Sequence, residues 1–173
     1  MITVELANRQ KSLRIDRRRL RRAARMILED ASIADAEISV AVVDDPAIRR
    51  LNRDYLGHDY ATDVLSFLLD RGEESLAGEV IVSADAAKAV APGFGWPAPD
   101  ELLLYVIHGM LHLVGCEDAT PSQRAAMRRR ERACLARFGL LEACKGTRTG
   151  RAPKGAGHSP ERKRRRRSSD GLG

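Results

Sequence analysis

Residues 99–114 read Pro-Asp-Glu-Leu-Leu-Leu-Tyr-Val-Ile-His-Gly-Met-Leu-His-Leu-Val, a helix that is apolar nearly all round. Such a helix has no face to leave in water, so the rest of the chain must cover it on every side. Its longest unbroken apolar stretch, Leu102 to Ile107, is far shorter than the ~20 residues a bilayer requires, so it is the buried centre of a globular domain. Two histidines interrupt the apolar surface. His108 and His112 are four residues apart, close to one turn, and therefore face the same way. Gly115 should end or bend the helix, and Asp118 follows three residues later. That spacing can converge three ligands on one metal ion.

The cover is read from the remaining sequence. Residues 1–7 alternate as a first strand, with Ile2, Val4 and Leu6 on one side. Asp16 caps a helix from Arg17 whose stripe is Leu20, Ala23, Ala24, Ile27 and Leu28. Glu37 to Val43 is a second strand. Asp45-Pro46 starts a helix with Ile48, Leu51 and Tyr55 inward and Gly57 at its end. Val64 to Leu69 and Gly78 to Ser83 are strands expected to pair as a hairpin across a turn at 70–77. Ser83 caps a helix through Val90, and residues 91–99 form a Pro- and Gly-rich loop. After the metal helix, Thr120-Pro-Ser-Gln123 is a capping box opening a last helix, with Met127, Ala133 and Phe138 on one face and Gly139 as C-cap. The fold class is α+β: a small mixed β-sheet packed with helices, with the metal helix followed by a glycine turn.

Charge divides the chain in two. Residues 1–145 carry 21 basic and 22 acidic side chains, whereas 146–173 carry 9 and 2. The basic excess therefore belongs to the tail, and the overall charge of +6 says nothing of the site. We expect one domain over 1–145 and a disordered basic tail over 146–173, which offers nothing to bury. The arginines at 17, 18, 19, 21, 22 and 25 are either a solvated helix face or contacts to a nucleic-acid backbone. Cys116, Cys134 and Cys144 lack the spacing of a disulfide framework. Cys116, between the histidines and the acid, reads as an apolar filler rather than a ligand. The N-terminus is too short and too acidic for a signal peptide, so a cytoplasmic location is the expectation.

Two imidazoles on a greasy helix each need a polar partner, and a metal satisfies both. The expected ligands are His108, His112 and Asp118. Zinc is the first choice, since three protein ligands with an open position for water make the catalytic pattern. The pair is zincin-like, but the zinc-peptidase helix His-Glu-x-x-His has its general base where this chain has Gly109. Glycine takes no proton, which argues against peptidase chemistry, and it lets a substrate or another helix approach closely. Glu117, Glu79 and Asp63 are the candidates for moving protons or orienting the ligands.

His108-Gly-x-Leu-His-Leu-x-Gly115 with a ligand at 118, together with Thr62-Asp-Val-Leu-Ser-Phe67, resembles the YbeY endoribonuclease (rRNA maturation factor) family. The resemblance covers roughly residues 1–140. It takes in Asn52, Tyr55, Asp59, Gly78-Glu-Val, Glu101-Leu, Met127 and Glu131. It implies a small zinc metalloprotein with a mixed sheet. It also implies a single-strand-specific endoribonuclease acting in 16S rRNA 3′-end maturation and ribosome quality control, with the small ribosomal subunit as partner. Asn52, Thr62, Asp63 and Ser66 carry over as residues lining the cleft. The chain departs from the family pattern twice. The motif usually ends Gly-Tyr-Asp-His, where this chain has Gly115-Cys-Glu-Asp118, and the family's arginine after the tyrosine at 55 is Leu56 here. Arg53 or Arg49 is the nearest cation to replace that arginine, and the arginine-rich helix is the expected backbone-binding surface. The other readings are a metal-stabilised assembly factor that cuts little, and a metallohydrolase of another substrate.

Overall fold

The computed structural model describes residues 1–140. Expectations for the 146–173 tail, and for Cys144, lie outside the described residues. Elements run β1 (Ile2–Asn8), α1 (Arg17–Asp30), β2 (Asp35–Val43), α2 (Asp45–Leu56), β3 (Val64–Arg71), β4 (Ser75–Ser83), α3 (Ala84–Val90), a 3₁₀ turn (Ala91–Phe94), α4 (Ala98–Leu113) and α5 (Pro121–Ala136). The sheet is mixed, in the order β1-β2-β4-β3. β1 and β4 each pair in parallel with β2, and β3 returns antiparallel on β4 as the expected hairpin.

The metal helix α4 is the centre of the larger core, with Leu103, Val106, Ile107 and Met110 fully buried. Its contact with the sheet is set by two glycines. A Cβ at Gly109 would fall 2.6 Å from Val80 Cγ1 and 3.1 Å from Val64 Cγ2, and one at Gly78 would fall 2.8 Å from Leu113 Cδ1. The approaches of 2.6 and 2.8 Å are closer than real Cβ atoms come, so glycine at these two points lets helix and sheet meet this closely. The close approach allowed by Gly109 is thus to the sheet, and not to a substrate. From Gly109 over Val80 to Leu113 over Gly78, α4 runs antiparallel to β4.

The other face of the sheet carries a smaller cluster of Val43, Ile48, Leu65 and Ile81, with Leu51, Leu56 and Phe67 against it. α2 covers this face. Tyr55, expected inward, is 65% exposed, and its ring packs at 5.5 Å on Phe67. Leu56 takes the inward position instead: from Ile48 the buried stripe runs in steps of four through Asn52 to Leu56, and Tyr55 falls beside it.

Most caps fall as expected. Asp16 and Ser83 accept from Arg19 N and Ala86 N, and Thr120 and Gln123 form the full capping box. α2 is capped one residue upstream of expectation, by Asp44, whose carboxylate accepts from Ala47 N at 2.9 Å. The hairpin turn shrinks to three residues, since both strands extend into 70–77 and a bulge between Leu68 and Asp70 absorbs the irregular register. Part of the expected 91–99 loop is helical. On α5, Ala133 is exposed and Met127, Cys134 and Leu135 are buried; Arg137, not Gly139, is the C-cap. No helix among the described residues is long and apolar enough to cross a membrane.

Candidate metal centre

The last turn of α4 closes as the sequence suggests. Gly115 N donates to His112 O and Cys116 N to Leu111 O, with Gly115 at φ +95°, where a side chain is strained. This paired closure reverses the chain immediately after His112 and brings Asp118 back over the helix. His108 Nε2 and His112 Nε2 lie 3.1 Å apart, and Asp118 Oδ2 is 3.8 Å from each. Among the described residues, these three form the group able to hold a metal. Around an ion with ligands at ~2.0–2.2 Å, tetrahedral neighbours stand roughly 3.3–3.6 Å apart, so the donor set fits a divalent metal. The three side chains are 12–14% exposed, so the donor set is mostly enclosed yet still touched by solvent.

A second carboxylate orders the first histidine. Glu131 Oε1, from α5, is 2.7 Å from His108 Nδ1. With Nδ1–H donating to Glu131, the lone pair of Nε2 is left facing His112 and Asp118. Burial works against the charged form of His108. The hydrogen bond to Glu131 and the charges of Glu131, Asp118 and Asp63 overcome it, and its pKa is raised. His112 is pushed the other way, by burial first and then by the charge of His108, against the opposing pull of Asp118 and Glu117. Glu131 was visible in the sequence as part of the family pattern. Its role was not, because it comes from a different helix and 23 residues away.

The other expected site residues divide. Asp63 and Glu117 act electrostatically on His108 and His112 respectively, which places them near the ligands. Thr62 donates to Asp63 Oδ1 at 3.2 Å. Ser66 has the strand parity of Val64 and pairs with Val80, both of which touch Gly109, so it faces the metal helix. Asn52 is fully buried and donates to Tyr60 O at 2.9 Å, holding the loop that leads to Thr62 and Asp63. Glu79 is not brought to the site. It alternates with Gly78 and Val80, which face α4, and pairs with Phe67 on the α2 side. Arg49 and Arg53 are exposed on α2 and paired with Asp59 and Asp54. Cys116 packs at the edge of the core, its Sγ accepting from Arg130 Nη1 at 3.0 Å, outside the ligand group.

The arginines of α1 are anchored elsewhere. Arg17 and Arg25 donate to Leu6 O and Ile2 O on β1, at the sheet edge opposite β3, and Arg19 pairs with Asp100. Asp100 lies about 18 Å along α4 from His112, at ~1.5 Å per residue. Arg19 and Arg22 also stack over Phe138.

A four-stranded mixed sheet, a glycine-seated helix presenting two histidines, and a returning aspartate define a small α+β metalloprotein. The profile of the family described as Endoribonuclease YbeY matches residues 5–139, and the chain belongs to that family. Curated members named Endoribonuclease YbeY are 39% identical in Syntrophotalea carbinolica (78% of this chain, 95% of that protein) and 40% identical in Geobacter sulfurreducens (80% and 95%). A third, from Syntrophus aciditrophicus, is 36% identical over 75% of this chain and 86% of its own length. The fold is shared with the solution structure of TM1509 from Thermotoga maritima. That structure gives a TM-score of 0.56 at 24% identity and covers 86% of this chain and 100% of its own.

Proposed function

We propose that this chain is a metal-dependent, single-strand-specific endoribonuclease of the cytoplasm. Its substrate is the 16S rRNA precursor, cut in 3′-end maturation and ribosome quality control on the small ribosomal subunit. The observation that carries this reading is the convergence of His108 Nε2, His112 Nε2 and Asp118 Oδ2 in a chain of the endoribonuclease YbeY family. Zinc is the ion we assign, since two imidazoles, one carboxylate and an open position suit it, as in zincin-like sites. When bound, it supplies Lewis-acid polarisation of a phosphoryl oxygen and a lowered pKa for water.

The protein's own groups supply the rest. Glu131 fixes the tautomer of His108, so that its Nε2 lone pair faces His112 and Asp118. Asp63 and Glu117 flank the histidines and take up or return the proton, either from water or from a substrate 2′-OH. Thr62 steadies Asp63. Ser66, on the metal-helix face of edge strand β3, offers a neutral hydroxyl for substrate, and Asn52 keeps the Tyr60–Asp63 segment in place. Glu79, on the far face, has no part in this reading. Residues 1–145 are the catalytic domain.

The test is cleavage of a single-stranded 16S rRNA 3′ fragment by protein of measured metal content, beside His112→Ala. Cleavage by the wild type alone, at about one metal per chain, is the expected result. Metal without cleavage above the variant would overturn the nuclease reading in favour of an assembly factor.

A further inference from the structure

Four carboxylates, Asp63, Glu117, Asp118 and Glu131, act on the two site histidines. Even with a divalent ion bound, they leave the centre negative. A substrate whose every link is a phosphate would be repelled unless cations stand beside it. The fold places three there. Arg71, at the end of β3, donates from Nη1 to Leu113 O at 3.0 Å. Arg124, on α5, donates to Asp118 O at 3.2 Å and to Ala119 O at 2.6 Å. Arg130, six residues further along α5, donates to Cys116 Sγ.

We propose that Arg71, Arg124 and Arg130 form a cationic collar around the ligand turn 113–119 that binds the phosphates of single-stranded RNA beside the metal centre. The proposal rests on the endoribonuclease reading and names the positioning residues for its substrate. Each of the three guanidiniums is tied to a neutral acceptor. Among the described residues, none lies within ion-pair distance of a carboxylate, unlike Arg19, Arg49, Arg53 and Arg137. Their charges are therefore uncompensated. A guanidinium has five N–H donors, so holding one or two carbonyls leaves much of each fork for a phosphate oxygen. Arg71 and Arg130 are exposed and Arg124 is half-buried. The three come from two elements on either side of one turn, which gives a grip on the backbone without reading bases. Capping the carbonyls of the turn is the structural part of their role, and the same contacts hold the forks still for binding.

The experiment measures binding of a fluorescent single-stranded oligodeoxynucleotide by the metal-loaded full chain across a salt series. A single strand loses affinity with a log–log slope of about −0.7 per neutralised phosphate. The triple variant R71Q/R124Q/R130Q should flatten the slope by about 2, so that a fourfold rise in salt costs it roughly sixteenfold less affinity than the wild type. R71K/R124K/R130K keeps the charge and should keep the wild-type slope, which separates charge from fold. R17Q/R21Q/R25Q on α1 should also keep it. An unchanged slope in the collar glutamine variant, or a slope flattened by the α1 variant instead, overturns the collar. Oligonucleotide binding is read separately from cleavage, so a wild type that cuts RNA while the collar variant keeps its slope refutes the collar alone.

Discussion

Glu131 Oε1 accepts from His108 Nδ1 at 2.7 Å, and this one contact makes α5 part of the metal centre. Without it, the imidazole of His108 can turn or change tautomer, and Nε2 no longer faces His112. Glu131→Ala should therefore lower metal affinity about 10–100-fold, the usual cost of losing such an outer partner. Glu131→Gln, which keeps an acceptor, should lose less. Chelator competition measures both, and equal affinity in wild type and Glu131→Ala would remove Glu131 from the site.

Gly109 sits where a Cβ would lie 2.6 Å from Val80. Alanine has the better helix propensity by ~1 kcal/mol, yet the collision must push α4 off the sheet. Overpacking of this kind costs about 1–3 kcal/mol, so the net effect of Gly109→Ala is destabilising. Because His108 and His112 ride on the same helix, metal affinity should fall as well. Urea denaturation checks the first expectation. A variant as stable as wild type would mean that Val80 and Val64 yield without cost.

These two residues show how far the sequence carries. Gly109 could be seen as the absence of a peptidase base, but its reason for being glycine is the packing of α4 on β3 and β4, which needs the sheet register. The ligand set was legible because helix periodicity and a glycine turn fix the relative positions of His108, His112 and Asp118 within eleven residues. Glu79 was misplaced because motif proximity ignores strand parity: its neighbours Gly78 and Val80 take the face toward α4. Tyr55 was misplaced by a similar error of phase, with Leu56 facing the core. The arginines of α1 looked like a nucleic-acid surface because composition does not show partners, and several of them hold β1, Asp100 and Phe138.

Asn52 is fully buried and donates to Tyr60 O, while its Oδ1 meets no protein donor. Replacing it with alanine removes the buried side-chain bond from α2 to the Tyr60 carbonyl. Losing a hydrogen bond of this kind costs about 0.5–1.5 kcal/mol in stability. Since that loop leads directly into Thr62 and Asp63, Asn52→Ala should also reduce RNA cleavage at unchanged metal content. Normal cleavage by a destabilised variant would confine Asn52 to a structural role.

The last expectation concerns the metal-free protein, where the two histidines respond to pH in opposite senses. His108 is raised above the usual 6.5, so its contribution to stability is full below that value and is lost as pH rises through its folded pKa. His112 is lowered, so its contribution is full above 6.5 and is lost as pH falls through its folded pKa. His108→Gln should therefore cost the metal-free chain more at acid than at alkaline pH. His112→Gln should relieve part of the acid destabilisation, because it removes a group that burial and the His108 charge keep from accepting a proton. Metal binding requires both imidazoles neutral, so the stability added by metal should shrink as pH falls from ~8 toward ~5. Urea denaturation of the three proteins with and without metal across that range is the measurement. Parallel pH profiles for wild type and His112→Gln, without metal, would show that neither burial nor the neighbouring His108 ring, 3.1 Å away between Nε2 atoms, holds His112 neutral in the folded chain.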